Sequence, residues 1–368
     1  MTSSPQVQRV LRASPRVLPH LGGQEIHVAE LTKHLAALGI DQTLVFAEGE
    51  PANAYARGIR RRVPPVPSKI VRDALFGARV ALFPKESFQV VHTHGDAPVA
   101  RGGEIVARRL GAVHVHTFHG DLVAQGIRAT VLRTLLPKRS WYLAVSRHVA
   151  KSLVFAGADH ERVFIRTSGV REEFFRPSGA ERSPDVIVGG RLIPEKRISE
   201  FVRAWAEGDT GASRLQVFGS GPEATTVEEI AERAANVVWH GQLDAVRLSE
   251  LLTSVSVGVV TGRIPTPRKS NEGTPTLALE MLAAGCFPIV GSLTGEAPRL
   301  VHELRFGQVR DGLPAPHLVA ALATTWSRAD AETEEERTRV RSKARSLLSW
   351  SAVAGQIRDL YARVLDAG

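Results

Sequence analysis

The stretch Asn271-Glu-Gly-Thr-Pro-Thr-Leu-Ala-Leu-Glu-Met-Leu-Ala-Ala-Gly285, followed closely by Phe287-Pro-Ile-Val290, predicts a loop, a helix and a strand in that order. Thr274 is a residue type that favours the helix N-cap, and Pro275 suits the first helical position. Gly285 favours the left-handed conformation that ends a helix. A short apolar strand directly after a capped helix is typical of an α/β domain with a parallel sheet.

The same alternation of short apolar runs and helical stretches continues towards both ends of the chain. It predicts strands at residues 7–10, 42–47, 89–93, 113–117, 141–145, 185–189, 215–218, 236–239, 255–260 and 287–290. A helix is expected over residues 25–38, ended by Gly39. The alternation restarts after residues 176–184, where prolines and a glycine favour a hinge, so two α/β units are predicted.

Composition excludes several classes of protein. The 368 residues suit two domains, with 43% hydrophobic and 23% charged residues. No run approaches the roughly 18 apolar residues of a membrane span, and the first residues do not resemble a secretory signal. Cys286 is the only cysteine, so an intrachain disulfide is excluded. We therefore expect a cytoplasmic protein.

The net charge of +9 is concentrated in the N-terminal half, since residues 1–180 carry +11 and the remainder carries −2. A basic half favours acidic partners or an anionic membrane surface, although the codon bias of a GC-rich genome gives the same excess of arginine. The basic and apolar residues 60–62 and 68–83 have three interpretations. The first interpretation is a peripheral contact with the inner face of a membrane, and the second is a pocket for a small acceptor. The third is a core-packed helix with an arginine-rich outer face. No nucleic-acid partner is expected.

The predicted helix after Pro275 offers an anion site. The first amides of a helix, here those of Thr276 and Leu277, have no acceptor within the helix, and the helix dipole favours a diphosphate there. Glu272 lies on the loop before that site, and Glu280 lies in the second turn, within reach of a vicinal diol such as a ribose. An ordinary capped helix with two surface acids is the alternative.

Two further loops follow predicted strands. Arg191 and Lys196 follow the strand at 185–189. They are two cations that can neutralise a diphosphate leaving group, and the alternative interpretation is a solvated basic turn. Gly22 and Gly23 follow the first strand and would let the backbone approach a phosphate closely. The alternative interpretation is a simple glycine turn without a ligand. They do not form the Gly-x-Gly-x-x-Gly pattern, which disfavours a dinucleotide redox enzyme.

Histidines mark the ends of two more strands. His119 follows the strand at 113–117, and His92 and His94 end the preceding strand, at the sheet edge where open α/β folds bind ligands. Their spacing matches no recognised metal motif, so a site without a metal is predicted. For His114 and His116 packing against the sheet is the preferred interpretation.

In their order and separation, these motifs resemble family 4 of the retaining glycosyltransferases, from about residue 8 to residue 365. The resemblance implies the GT-B architecture, with two Rossmann-like α/β domains that face each other across a cleft. The N-terminal domain, residues 1–177, would bind the acceptor, and the C-terminal domain, residues 178–349, would bind the donor. The final helix, residues 350–368, would cross back to the N-terminal domain.

The resemblance also implies a role for each site residue. Arg191 and Lys196 would bind the donor diphosphate together with the amides of Thr276 and Leu277. Glu280 would hold the ribose, while Glu272 and His119 would contact the transferred sugar. The residues that would bind the donor or act in catalysis are thus Gly22, Gly23, His119, Arg191, Lys196, Glu272, Gly273, Thr274, Thr276, Leu277 and Glu280.

Three departures from the family pattern bear on the substrate. Ser168 stands where the family often has asparagine, which puts the role of that residue in doubt. A basic insertion at residues 262–270 precedes Glu272 and is either an acceptor-side flap or a mobile loop. The Lys-x-Gly-Gly turn of glycogen and starch synthases is absent, since His20 and Leu21 precede Gly22, so a polymer-elongating synthase is disfavoured.

The expected activity is the transfer of a hexosyl or N-acetylhexosaminyl unit from a nucleoside diphosphate sugar to a hydroxyl, with retention at the anomeric carbon. UDP is the expected nucleotide, and neither a cofactor nor a metal is expected. The acceptor is a small natural product such as an aminocyclitol, a glycan or a lipid, and the protein is a monomer or a homodimer. The alternatives are a nucleotide-sugar 2-epimerase of the same architecture and a non-catalytic protein that binds sugar nucleotides.

Overall fold

The structure is a computed structural model, and it describes residues 7–20, 22–50, 54–120, 127–177, 182–208, 213–261, 273–311 and 333–367. Among these residues, no helix has both the length and the apolar character needed to span a bilayer. The chain divides into two compact units. The first comprises Met1–Gly169, Thr266–Gly273 and Trp350–Gly368, and the second comprises Val170–Pro265 and Thr274–Ser349.

The first unit is built on a parallel sheet with helices between its strands. Its strands are β1 (Arg9–Arg16), β2 (Asp41–Glu48), β3 (Arg57–Arg60), β4 (Val90–His94), β5 (Val113–Phe118), β6 (Trp141–Ala144) and β7 (Val163–Ile165). Its helices are α1 (Gly23–Ala37), α2 (Lys69–Ala81), α3 (Ala97–Leu110), α4 (Ile127–Leu135), α5 (Arg147–Phe155) and, from the end of the chain, α12 (Trp350–Asp366).

The second unit repeats this plan. Its strands are β8 (Ser183–Arg191), β9 (Leu215–Ser220), β10 (Val237–Trp239), β11 (Val255–Val260), β12 (Phe287–Val290) and β13 (Gln308–Val309). Its helices are α6 (Ile198–Glu207), α7 (Ala224–Arg233), α8 (Ala245–Ser254), α9 (Thr276–Ala284), α10 (Ala297–Leu304) and α11 (Glu334–Leu348).

The strand order of each sheet creates a crevice at the carboxyl ends of two central strands. The first sheet runs β3-β2-β1-β4-β5-β6-β7 and the second runs β10-β9-β8-β11-β12-β13, with all of these pairs parallel. The order reverses between β1 and β4 in the first sheet, and between β8 and β11 in the second. Ligands of open parallel sheets bind at the carboxyl ends of the strands at such switch points.

Each unit has its own apolar core. In the second unit most residues of α9 are buried, with Leu277, Leu279 and Met281 among its buried side chains, as suits a helix that packs on the sheet and beneath other helices. In the first unit α12 supplies Trp350 and Ile357 to the core on one face of the sheet.

All ten predicted strands overlap observed ones, and three short strands were missed. β3, β7 and β13 lie at sheet edges and contain few or no buried residues, so their sequences lack a buried apolar run. β1 was predicted too early and too short. It continues through two polar residues, Arg12 and Ser14, both of which are fully buried.

The predicted ends of α9 are correct at one end and wrong at the other. Gly285 ends the helix with φ 67°, in the left-handed region that glycine favours. Thr274 is not the N-cap, however, because α9 begins at Thr276 with Pro275 in the capping position. The hydroxyl of Thr274 instead accepts a hydrogen bond of 3.1 Å from the amide of Glu296, which ties the loop to the start of α10.

Helices α2 and α3 touch backbone to backbone at Gly77 and Gly102. A Cβ atom added at Gly102 would lie 2.1 Å from the carbonyl oxygen of Gly77. We expect Gly102→Ala to lower the free energy of unfolding by about 1–3 kcal/mol, because the two helices must separate. Gly355→Ala in α12 is the matched control, since its added Cβ meets no described atom within 4 Å.

Urea unfolding of both variants measures this effect. The control should be unchanged or up to about 1 kcal/mol more stable, because alanine is the better helix former. Equal stability of Gly102→Ala and the wild type would contradict the close approach of α2 and α3.

Candidate functional site

Two cations lie at the switch point of the second unit. Arg191 is the last residue of β8 and is exposed, and Lys196 ends a short 3-10 turn, Pro194–Lys196, that follows it. The hydroxyl of Thr261, just after β11, donates a hydrogen bond to the carbonyl oxygen of Lys196. This bond ties the turn after β8 to the end of β11, the two strands that flank the crevice.

Glycines bring the ends of β8 and β9 unusually close together. A Cβ at Gly219 would lie 2.0 Å from the carbonyl oxygen of Gly190, and one at Gly221 would lie 2.4 Å from that of Leu192. Gly190 and Gly219 also have positive φ angles of 126° and 139°. Since no side chain fits at these contacts, the backbone itself sets the position of Arg191 beside Ser220.

The N-terminus of α9 also lies at the carboxyl ends of the strands of this sheet. Ala278 donates its amide to the carbonyl of Pro275, whereas the amides of Thr276 and Leu277 belong to the first turn, where no helical acceptor exists. Thr276 is exposed and Leu277 is buried. Two peptide N–H groups, the helix dipole and two side-chain cations therefore lie at the carboxyl ends of these strands, which suits a diphosphate.

Glu280 stands one turn along α9 and is half-buried. Burial raises the pKa of its carboxyl to about 7, and the nearby Arg171 guanidinium opposes that shift. The carboxyl is thus near the midpoint of its titration at neutral pH. A carboxyl group in this state is held ionised by partners that donate hydrogen bonds to it, such as the two hydroxyls of a ribose.

In the first unit the N-terminus of α1 follows β1, one of the two strands at the switch point. Gly22 is the N-cap, and a Cβ there would lie 2.4 Å from the carboxylate of Glu25, which is itself paired with Arg16 at 3.2 Å. The close approach at Gly22 is therefore to the protein's own Glu25. At Gly23, by contrast, a Cβ would meet no described atom within 4 Å.

His119 lies at the carboxyl end of β5 in the first unit and is half-buried. Its Nε2 is 3.4 Å from Nδ1 of His94, at the end of β4, and its ring packs edge-to-face on His27 of α1. The site residue Gly273 adjoins it, since a Cβ there would lie 3.0 Å from the carbonyl oxygen of His119. Glu272, the other residue expected near the transferred sugar, lies outside the described residues.

Among the described residues, one cluster has the residue types to hold a metal ion, and it consists of His27, His94 and His119. One nitrogen of each lies within 4.8 Å of the others. The hydrogen bonds at His94 oppose this. Nη2 of Arg12 lies 2.9 Å from Nε2 of His94, and because arginine only donates, that nitrogen must accept. Nδ1 of the neutral His94 then carries the proton and has no lone pair for a metal.

Other histidines of this sheet are structural. His114 donates from Nε2 to the hydroxyl of Thr93 at 2.8 Å, Thr93 donates to Nδ1 of His116 at 2.6 Å, and His116 donates from Nε2 to the carbonyl of Gly95. Both histidines are buried, in agreement with the packing role expected for them. His92 likewise bonds to Tyr361 of α12 and to Thr117.

Burial holds these histidines neutral. It lowers the pKa of His116 to about 4 and that of His119 to about 3, with neighbouring positive groups adding to the shift at His119. The pKa values of His27, His92, His94 and His114 also lie well below the ordinary value, again chiefly because of burial.

These shifts make the first unit sensitive to acid. Because each pKa is lower in the folded than in the unfolded chain, the unfolded chain takes up protons first as the pH falls below about 6.5. Each such histidine then lowers the free energy of unfolding by up to about 1.4 kcal/mol per pH unit. Urea unfolding between about pH 5 and about pH 8 should show stability falling steeply on the acid side.

His114→Gln should reduce that slope, because it removes one of the buried imidazoles whose pKa is lowered. Equal slopes for the wild type and His114→Gln would show that His114 is not held neutral by burial.

The sequence did not single out Arg12, Glu25 or His27. Arg12 and His27 occupy positions where a buried apolar residue is expected, and their partners are distant in the chain. One signal was present: Arg12 is a charged residue inside an otherwise apolar run at residues 10–13. A buried charge must find hydrogen-bond partners, so such an interruption indicates a polar network.

Family models and one curated relative match most of the chain. Residues 21–174 match the model for Glycosyltransferase Family 4, and residues 170–345 match the model for Glycosyl transferases group 1. The D-inositol 3-phosphate glycosyltransferase of Acidothermus cellulolyticus is 26% identical over an alignment that covers 82% of this chain and 78% of that protein.

Solved structures share the fold over nearly the whole chain. Sucrose-phosphate synthase from Thermosynechococcus elongatus superposes with a TM-score of 0.75 at 19% identity, covering 98% of this chain and 100% of that one. Anabaena HepE in complex with UDP gives 0.73 at 14% identity, covering 97% and 100%. A glycosyltransferase involved in avilamycin A biosynthesis gives 0.64 at 18%, covering 99% of each chain. The fold is therefore GT-B, with two Rossmann-like α/β domains.

Proposed function

The chain belongs to glycosyltransferase family 4, and from this premise we propose its reaction and the residues that perform it. The protein is a glycosyltransferase that uses a nucleotide-sugar donor. In the proposed reaction a hexosyl or N-acetylhexosaminyl unit passes from a UDP-sugar to a hydroxyl group, with retention at the anomeric carbon. The observation that carries the proposal is the convergence of Arg191, Lys196 and the start of α9 on one switch point.

Departure of the diphosphate is the step that most needs help, because negative charge develops on the leaving oxygen. The guanidinium of Arg191 and the ammonium of Lys196 would stabilise that charge, together with the amides of Thr276 and Leu277. The backbone that carries these groups is fixed before the reaction, since the carbonyl of Lys196 is tied to Thr261 and the amides belong to a buried helix. With this positive charge in place we expect the transfer to proceed without a metal ion.

Donor recognition in the second unit is assigned to residues along α9. The ribose hydroxyls would donate to the Glu280 carboxylate, whose raised pKa means that it gains from such partners. Thr274 carries the backbone into α9 and would border the diphosphate, as would Gly273, which precedes it in the chain and belongs to the first unit.

In the first unit His119 would donate to the transferred sugar, and Gly22 and Gly23 would border the phosphates. The open space over Gly23 supports an approach by a ligand there, while Glu25 occupies the space over Gly22. Glu272 is assigned to the transferred sugar on the basis of its position in the motif. The leaving phosphate oxygen would accept the proton of the attacking hydroxyl, which places nucleophile and leaving group on the same face and gives retention.

For the acceptor we propose a small polyhydroxylated molecule such as a cyclitol. One relative supports this choice, since it is named for D-inositol 3-phosphate. The excess of positive charge in residues 1–180 favours an acceptor that carries negative charge. Screening cyclitols and their phosphates with a radiolabelled UDP-sugar, and following label transfer, tests the assignment.

Replacing either cation should slow transfer strongly. We expect Lys196→Ala and Arg191→Ala to lower kcat/KM by about 100-fold or more, the usual loss when a group that stabilises developing charge is removed. Arg203→Ala is the matched control, because Arg203 is an exposed arginine on α6, away from the carboxyl edge of the sheet.

Release of UDP, followed by a coupled assay, measures these rates. Full turnover by Lys196→Ala would refute the assigned site. Product formed from the donor alone, with the hexose inverted at carbon 2 and still attached to the nucleotide, would identify an epimerase instead.

The titration of Glu280 should be visible in donor binding. Because the ionised carboxylate accepts two hydroxyl hydrogen bonds, we expect the affinity for UDP-glucose to rise several-fold between about pH 6 and about pH 8. UDP-glucose is the appropriate probe, since its diphosphate carries no terminal phosphate that titrates in this range. Calorimetry of the wild type and Glu280→Gln measures the effect.

Glu280→Gln should bind more weakly at the higher pH and show little pH dependence. An unchanged pH dependence in Glu280→Gln would assign the titrating group elsewhere.

The nucleotide itself is tested by a thermal-shift panel of UDP, GDP, ADP and dTDP. A ligand at 100 times its dissociation constant adds about 2.7 kcal/mol of apparent stability, which is readily measured. The largest shift is expected with UDP, and a larger shift with another nucleotide would replace it.

A further inference from the structure

A chain of hydrogen bonds leads from the interior of the first unit to His119. It starts at Arg12, a fully buried residue of β1. Nη2 of Arg12 lies 2.9 Å from Nε2 of His94, and Nδ1 of His94 lies 3.4 Å from Nε2 of His119. Arg12 is anchored at its other end, because its Nη1 donates to the hydroxyl of Thr32 at 2.5 Å and to Gln42 at 3.3 Å.

The direction of each bond follows from counting protons. A guanidinium has only donors, so Nε2 of His94 accepts, and the single proton of a neutral His94 lies on Nδ1. That proton is donated to Nε2 of His119, which leaves the proton of a neutral His119 on Nδ1. Both rings are neutral, since burial places the pKa of His119 at about 3 and that of His94 well below its ordinary value.

The Nδ1 side of His119 is available to a ligand. His119 is half-buried, and within the described part of the chain no side chain or carbonyl bonds to its Nδ1. The ring plane is held by His27, which packs on it at 4.8 Å between centroids and 80° between planes. His27 is fixed in turn by Ser168, whose hydroxyl is 3.0 Å from Nδ1, and by the ring of Trp350.

We propose that Arg12 and His94 are positioning residues that fix His119 as the Nδ1–H tautomer, so that it donates a hydrogen bond from Nδ1 to an oxygen of the bound sugar. This inference rests on the proposed contact between His119 and the transferred sugar. A free imidazole prefers its proton on Nε2, so the chain reverses the intrinsic preference. It also occupies the lone pair on Nε2, which makes His119 a donor and excludes it as a general base.

The arrangement explains two features of the sequence. A buried arginine in the middle of β1 is costly unless its donors have partners. His94 is the partner of Nη2, whereas Nε has no hydrogen-bond partner among the described residues. Successive bonds in such a chain polarise one another, so the charge on Arg12 strengthens the donor at Nδ1 of His119. Ser168, which stands where related sequences often have asparagine, acts on the same ring through His27.

Nuclear magnetic resonance of the full chain tests the tautomer directly and needs no ligand. With ¹⁵N-labelled histidine, long-range ¹H–¹⁵N correlation should show His94 and His119 protonated on Nδ1. In His94→Gln the side-chain oxygen can still accept from Arg12, but no donor faces His119, and the proton of His119 should move towards Nε2. His94→Asn, whose nitrogen overlays Nδ1, should preserve the wild-type tautomer of His119.

A proton on Nε2 of His119 in the wild type would overturn the proposal. So would a His119 tautomer that is the same in His94→Gln as in the wild type. Arg12→Met adds a third comparison, with circular dichroism to establish that it folds, and His94→Gln decides the question if it does not.

Turnover of UDP-glucose with water as the acceptor supplies the kinetic test. The bond between the anomeric carbon and the diphosphate oxygen breaks, and water supplies the new hydroxyl and a proton to UDP. The nitrogen of asparagine overlays Nδ1 and that of glutamine overlays Nε2, so His119→Asn should retain at least about tenfold more kcat/KM than His119→Gln. Equal losses would contradict a donor at Nδ1.

A double-variant cycle separates positioning from a general structural role. If His94 acts through His119, then adding His94→Gln to His119→Gln should cause little further loss, whereas independent losses that multiply would contradict the proposal. Lys196→Ala tests the proposed function separately from the proposed tautomer of His119. Full turnover in that variant would refute the proposed function, while the tautomer of His119 would stand.

Discussion

The reversal of strand order within each sheet is the constraint on which the rest of this structure depends. Where connections leave two neighbouring strands in opposite directions, no helix covers their carboxyl ends, and the backbone there is open to a ligand. In the second unit β8 and β11 flank that opening. The glycines that bring β8 against β9, and the bond from Thr261 to Lys196, set the backbone around it.

The two units use different chemistry at equivalent places. The second unit presents positive charge and helix amides, which suits a diphosphate. The first unit presents neutral imidazole rings around a buried guanidinium, which suits the directed hydrogen bonding of sugar hydroxyls. Burial produces this contrast, since it suppresses protonation of the histidines while Arg12, whose pKa it lowers only to about 10, stays charged. The cost is a sheet that loses stability as the pH falls.

Much of the fold could be predicted from the sequence, because buried parallel strands are apolar and ligand residues follow them. The limits are physical. β1 was truncated in the prediction because Arg12 interrupts its apolar run, and its partner His94 is 82 positions away. Thr274 has the chemistry of a helix cap, but the loop turns so that its hydroxyl meets the amide of Glu296. Residue types at strand ends can be predicted from a sequence. The tautomer of His119 depends instead on hydrogen bonds between side chains of β1, β4 and the end of β5, which lie side by side only in the folded sheet.

The most direct test of the account is a crystal structure with the nucleoside diphosphate that stabilises the protein best. The account predicts that the diphosphate lies within hydrogen-bond distance of the amides of Thr276 and Leu277, with Arg191 and Lys196 against its oxygens and the ribose hydroxyls on Glu280. A diphosphate bound at another helix of the second unit, with the start of α9 unoccupied, would contradict it.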